Sequence, residues 1–204
     1  YRGVFPAFYA CYDEAGEISP KRVRELTRYC IRKGVKGVYV NGSSGECIYQ
    51  SVEDRKTVLE NVMEAAEGRL TVIAHVACNN TRDSEALARH AESLRVDAVA
   101  AIPPIYFHLP EYAIARYWND ISAAAPNTDF VIYNIPQLAG VALTLPLFRE
   151  MRKNPRVIKE ILRINEDLDI GGVRPPLPEL TESDGPIVQE AAAMIRRARE
   201  EAQA

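Results

Sequence analysis

Short apolar and aromatic runs return along this chain at a nearly constant interval, which restricts it to a small set of folds. The runs cover residues 4–9, 37–40, 70–76, 98–102 and 130–134, with centres near 6, 39, 73, 100 and 132. The steps between centres are 33, 34, 27 and 32 residues. Each step holds one strand, one helix and two short loops. Most runs are apolar without strict alternation, as in strands covered on both faces. Helical patterns fill the intervals. The first has Ser19 as expected N-cap, Pro20 at the first helical position and Gly34 as its stop, with Val23, Leu26, Cys30 and Ile31 on one face. The second places Val58, Leu59, Val62, Met63 and Ala66 together, and the third Leu87, Ala91 and Leu94. The fourth uses Ile114, Tyr117, Trp118 and Ile121, and the fifth Leu147, Phe148 and Met151. A repeated strand–helix unit with right-handed crossovers makes a parallel α/β sheet. A doubly wound sheet and a (β/α)8 barrel both fit. No G-x-G-x-x-G follows the first run, so a dinucleotide fold gets no support.

The repeat fails after residue 158. Val157-Ile158 begins like a sixth strand behind the Asn154-Pro155 turn, but Lys159-Glu160-Ile161-Leu162-Arg163 reads as a helix. A polar stretch follows, then Val173-Arg174-Pro175-Pro176-Leu177-Pro178, then a last helix with Ile187, Val188, Ala191, Ile195 and Ala198 on one face. Two parts are expected: residues 1–158, holding five units and the start of strand six, and residues 159–204, a C-terminal helical segment. Five units and a stub do not close an eight-stranded barrel, which takes ~250 residues.

The 204 residues carry a net charge of -3, so neither nucleic acid nor an anionic membrane is indicated as partner. No apolar run approaches the ~20 residues of a membrane span. Cys11, Cys30, Cys47 and Cys78 form no C-x-x-C pair, and no two histidines have ligand spacing, so no metal or cofactor is expected. Four spread thiols without a secretion signal suit a reduced, cytoplasmic protein. The chain opens on Tyr1-Arg2-Gly3-Val4, neither a signal peptide nor an initiator methionine, so the natural start is expected to lie upstream.

In parallel α/β folds ligands bind at the carboxyl ends of the strands. The loop after the second run, Asn41-Gly42-Ser43-Ser44-Gly45-Glu46, is the most informative. Its glycines let backbone amides turn inward, and amides with hydroxyls make a cradle for a carboxylate or phosphate. A tight turn with helix-capping serines fits the spacing equally. Tyr133 ends the fifth run, where a tyrosine ordinarily packs in the core with its hydroxyl satisfied. His75 reads as buried and hydrogen-bonded, and His90 and His108 as exposed. Tyr106 and Phe107 suit a loop plug, an oligomer contact or part of a site.

Two motifs carry a family resemblance. Gly42-Ser43-Ser44-Gly45-Glu46 resembles the G-S/T-T-G-E signature of the N-acetylneuraminate lyase and dihydrodipicolinate synthase family, with serine at the second hydroxyl position. Tyr133-Asn134-Ile135-Pro136 is similar to the family's Y-N-x-P motif. The resemblance runs to about Ile158 and resumes from Lys159 with what ends family members. It implies a (β/α)8 TIM barrel, usually a homotetramer, that binds pyruvate as an imine on a strand-six lysine and needs no cofactor. Ser43 and Ser44 would hold the pyruvate carboxylate, and Tyr133 would relay protons. Tyr106 matches a tyrosine that reaches a neighbouring subunit's site in the synthase branch. The synthases usually place an arginine two residues after the motif's proline, to bind the carboxylate of aspartate semialdehyde. Here that position is Leu138, which pairs with no carboxylate. The expected activity is therefore cleavage of N-acetylneuraminate to N-acetylmannosamine and pyruvate. Dihydrodipicolinate synthase and other sugar-acid pyruvate aldolases are the alternatives.

The chain lacks about three βα units after residue 158, and with them the Schiff-base lysine. Lys159 would sit about 7 Å short along its strand, and its following residues read as helix. Either residues 1–204 omit an internal segment of a complete aldolase, or the deletion is real and the chain is a non-catalytic truncated barrel or interaction fragment. A half-open barrel exposes sheet edges and core residues, which makes omission the expectation.

Overall fold

A computed structural model describes residues 2–151 together with 185, 186, 188–190, 192, 193, 196 and 197. The 158/159 boundary, Lys159 and the proline-rich segment lie outside the described residues. So do Ile187, Ala191, Ile195 and Ala198 of the last predicted helix, whose described positions are helical, with Val188 and Ala192 buried.

Four strands, β1 (Gly37–Val40), β2 (Thr71–His75), β3 (Ala98–Ala101) and β4 (Asp129–Ile132), form one parallel sheet in sequential order. The first predicted strand is not a regular one. Residues 4–8 run beside β1 through a single parallel bridge, Ala7 to Tyr39. Phe8 N donates to Tyr39 O at 2.8 Å, and Tyr39 N to Pro6 O at 3.0 Å. Pro6 has no N–H, so the ladder is interrupted there.

The helices α1 (Pro20–Arg32), α2 (Val52–Ala66), α3 (Thr81–Ser93), α4 (Glu111–Ala124), α5 (Pro136–Ala139) and α6 (Leu145–Met151) fill the intervals. α1 is capped by the Ser19 side chain, with Gly34 beyond its end at φ 70°. α2 starts in a capping box. Ser51 accepts from Asp54 N at 3.1 Å, and the Asp54 carboxylate accepts from Ser51 N at 3.0 Å. α5 was not expected: the tyrosine motif continues into one helical turn, with Pro136 at its first position. His90, expected to be exposed, is half-buried, because α2 packs on α3 and brings Glu60 Oε1 2.8 Å from its Nε2.

Strand residues divide by parity. Val38, Val40, Val72, Ala74, Val76, Val99 and Ala101 pack outward against the helices. Tyr39, Ile73, Ala98, Ala100 and Val131 form a second cluster on the other face, with Phe5. β3 is buried throughout, whereas every residue of β4 is half-buried. No strand is described beyond β4.

Candidate functional site

Directly after β1 comes Asn41, whose φ of 60° lies in the left-handed region that asparagine tolerates. Its side chain donates to Arg55 O at 2.8 Å, and its carbonyl accepts from His75 Nδ1 at 2.9 Å. His75 is thus buried and hydrogen-bonded, with Nδ1 carrying the proton. Burial, aided by the Arg55 charge, pushes its pKa down to about 3, so the ring is neutral across the physiological range.

The chain then folds into a 3-10 turn, Ser43–Gly45. Gly45 N and Cys47 N donate to Gly42 O, and Glu46 N to Ser43 O, at 3.0–3.4 Å. Among the described residues the amides and hydroxyls of Ser43 and Ser44 have no acceptor or donor. Neither serine caps a helix, since Ser51 is the cap of α2. That removes the capping explanation for the pair.

Gly42 is required by close approach. A Cβ there would lie 2.7 Å from Cε1 of Tyr39. The Tyr39 ring in turn meets the Tyr133 ring edge-on at 5.3 Å, and stands 6.0 Å from the His75 ring. Loop 41–50 and Tyr133 are therefore linked through Tyr39. The Tyr39 hydroxyl is buried with no partner among the described residues, and burial with the neighbouring Tyr133 pushes its pKa strongly up. Tyr133 follows β4 at the inward parity and is half-buried. Its backbone N donates to Ala101 O at 3.0 Å. Asn134 Oδ1 accepts from Leu143 N at 3.0 Å, which ties the chain after α5 back to the motif.

Tyr106 is not brought to this group. It is 88% exposed, at φ 87°, with its ring edge-on to Phe107 at 4.9 Å. Leu138 lies exposed on α5, and His108 is exposed as expected.

A cavity of about 290 Å³ opens at the same end of the sheet, lined among others by Cys47, Gln50, Arg55, His75, Cys78 and Ile102. Ser43, Ser44 and Tyr133 do not line it. Arg55 is 2% exposed. Its Nη2 donates to His75 O at 2.7 Å, and Nη1 to Ala77 O at 2.9 Å and Cys78 Sγ at 3.1 Å. Tyr39, Asn41 and Arg55 were not singled out from sequence. A charged residue on the apolar stripe of α2, one turn before Val58 and Leu59, was the available signal for Arg55. No group of three His, Cys, Asp or Glu side chains among the described residues is placed to hold a metal. No described helix is long and apolar enough to cross a membrane.

At a parallel strand end, then, stands a turn of hydroxyls and amides without partners among the described residues, linked by ring contacts to a strand-end tyrosine. The model of the dihydrodipicolinate synthetase family matches residues 1–191. The chain belongs to this family. Over 158 residues, 78% of this chain and 50% of the relative, it is 82% identical to N-acetylneuraminate lyase of Mediterraneibacter gnavus. It is 38% identical over 159 residues, 77% of this chain and 52% of the relative, to N-acetylneuraminate lyase 2 of Escherichia coli. The chain thus spans about half the length of the curated relatives it matches. Its structure is similar to the wild-type sialic acid aldolase of Ruminococcus gnavus, with a TM-score of 0.74 and 51% identity. That match covers 98% of this chain and 99% of that one. The family's fold is a TIM barrel, and the described sheet with its flanking helices is an arc of that barrel's wall. The parity of the strands then places Tyr39, Ile73, Ala98, Ala100 and Val131 inside the barrel and the larger cluster between wall and helices.

Proposed function

We propose that the chain is part of an N-acetylneuraminate lyase, cleaving N-acetylneuraminate to N-acetylmannosamine and pyruvate through an imine between pyruvate and a lysine. The loop after β1 carries this assignment: two hydroxyls and two amides that have no partner among the described residues, held by Gly42 against the Tyr39–Tyr133 ring pair. A carboxylate is the group such donors suit, because each charge-assisted bond to it is stronger than a neutral one. Ser43 and Ser44 bind the pyruvate carboxylate, and Tyr133 carries the proton that moves as the imine forms and the carbon–carbon bond breaks. Leu138 presents an apolar, exposed side chain where a synthase needs a cation. The similarity to N-acetylneuraminate lyases supports the same branch.

The imine needs an amine. Among the described residues no lysine stands in a loop after a strand: Lys21 and Lys56 are on α1 and α2, and Lys33 and Lys36 lie between α1 and β1. Lys153 and Lys159 lie outside the described residues. In this proposal the lysine belongs to a segment of the complete protein that residues 1–204 omit, and the activity to that complete protein. That protein is a cytoplasmic homotetramer in this proposal, consistent with four free thiols and with Tyr106 extended outward toward a neighbouring subunit. The test supplies the complete protein with N-acetylneuraminate and, separately, with pyruvate plus aspartate semialdehyde. Turnover of N-acetylneuraminate is expected. Turnover of only the second pair overturns the assignment in favour of dihydrodipicolinate synthase, and turnover of neither points to another sugar-acid aldolase.

A further inference from the structure

We propose that Cys47 and Cys78 form a two-thiol modification site, which a peroxide-class oxidant closes into a disulfide between the loop after β1 and the turn after β2.

Both side chains line the same cavity, which is large enough to admit a small oxidant. They come from different loops. Cys47 follows Glu46 in a second 3-10 turn, and Cys78 follows Ala77 before α3 caps on Asn80. The turn at Cys78 is fixed from behind: Cys78 N donates to Ser84 Oγ at 2.8 Å, and the Tyr117 hydroxyl donates to Cys78 O at 2.8 Å. Cys47 sits on the less constrained partner, in a 3-10 turn with no fully buried residue. One sulfur is thus held from behind, while the other sits on a turn with no fully buried residue.

Arg55 supplies the chemistry that two thiols alone lack. Its guanidinium is a fixed, buried cation donating to Cys78 Sγ, and its Nε has no acceptor among the described residues. Burial pushes both thiols up, so each is protonated near neutrality, but the Arg55 charge opposes that rise at both. The same cation would donate to the oxygen of an oxidised sulfur. Cys30 lies on the inner face of α1 and Cys11 bonds to Tyr9 O; neither lines the cavity.

The step balances with peroxide as oxidant. The Cys78 thiolate attacks the O–O bond, forming S–O and releasing hydroxide, which leaves as water with the thiol's proton. The Cys47 thiolate then attacks the sulfenic sulfur. The S–S bond forms, S–O breaks, and a second water leaves. Two thiols are oxidised by two electrons and one peroxide is reduced. Any consequence for pyruvate binding rests on reading the serine loop as the carboxylate cradle. The cross-link does not.

The full 204-residue chain is exposed to a slight excess of hydrogen peroxide, and remaining thiols are then alkylated under denaturing conditions. The expected result is loss of two hydrogens and a single non-reduced peptide pair joining Cys47 to Cys78, while Cys11 and Cys30 stay alkylatable. In Cys47→Ser the pair is absent, and dimedone captures a sulfenic acid on Cys78. Oxidation of all four cysteines at similar rates overturns the proposal, as does a disulfide to Cys11 or Cys30. Because the readout is a mass and not an activity, its failure leaves the lyase assignment standing, and loss of lyase activity leaves the cross-link standing.

Discussion

Arg55 is the residue where apolar patterning and local chemistry part most clearly. It shares a helix face with Val58, Leu59 and Val62, yet carries a full charge at 2% exposure. It persists there because backbone carbonyls at the end of β2 accept its protons. Arg55→Met would fill the volume and leave those carbonyls without donors. The expected loss is about 1–3 kcal/mol for each carbonyl, read from the urea midpoint, and an unchanged midpoint would sink this account. His75 adds a pH dependence of definite sign. Its pKa falls from 6.5 in the unfolded chain to about 3 in the fold. The unfolded state therefore binds more protons in that window, and the stability His75 contributes is complete above 6.5 and lost as pH falls toward 3. His75→Gln should flatten the acid limb of the stability curve between those values; an unaltered limb would count against the buried neutral ring. For the serine pair, Ser43→Ala with Ser44→Ala in the complete protein should weaken pyruvate binding. Each lost bond to the carboxylate is worth ~1.5–3 kcal/mol, roughly tenfold or more in Kd. Unchanged affinity by calorimetry would remove them from the site. These serines and Tyr133 could be nominated from sequence because short motifs name them. Tyr39, Asn41 and Arg55 were not, since their placement depends on contacts between loops that no local pattern encodes.

At the scale of elements, the chain announces its own boundaries wherever a cap or a breaker is local. Ser19, Pro20 and Gly34 delimit α1, and the four apolar residues read into α4 are all buried in it. The capping box on α2 is equally local, and it fixes where loop 41–50 must end. Ser51→Ala should cost about 1 kcal/mol, seen as a lower urea midpoint with an unchanged slope; a changed slope would mean that more than a helix end had moved. Two elements escaped. Residues 4–9 read as a strand by composition, but Pro6 interrupts their ladder, so only one bridge to β1 qualifies. α5 escaped for the opposite reason: one helical turn is too short to show a 3.6-residue period, and only Pro136 hints at it.

Across the whole molecule, the question is where the wall stops. Four of the five apolar runs carry one strand each, the first making only a single bridge, and the sequential order of those four followed from the crossover rule. What closes the barrel was not legible, since the repeat itself ends. Borohydride reduction with pyruvate should leave no adduct on this 204-residue chain and a stoichiometric one on a lysine of the longer protein. An adduct on Lys159 of the short chain would show that the missing lysine had been misplaced. β4 gives the interruption a physical form. It is half-buried along its whole length, while its neighbour β3 is buried throughout. A parallel strand in a closed barrel is flanked on both sides, and among the described residues β4 has a strand partner on the β3 side alone, which leaves a seam. Such a seam is a place for reassembly in trans: the remaining barrel strands, supplied as a separate polypeptide, would find their hydrogen-bonding register along β4. The two pieces would then behave as a split enzyme whose activity reports their encounter.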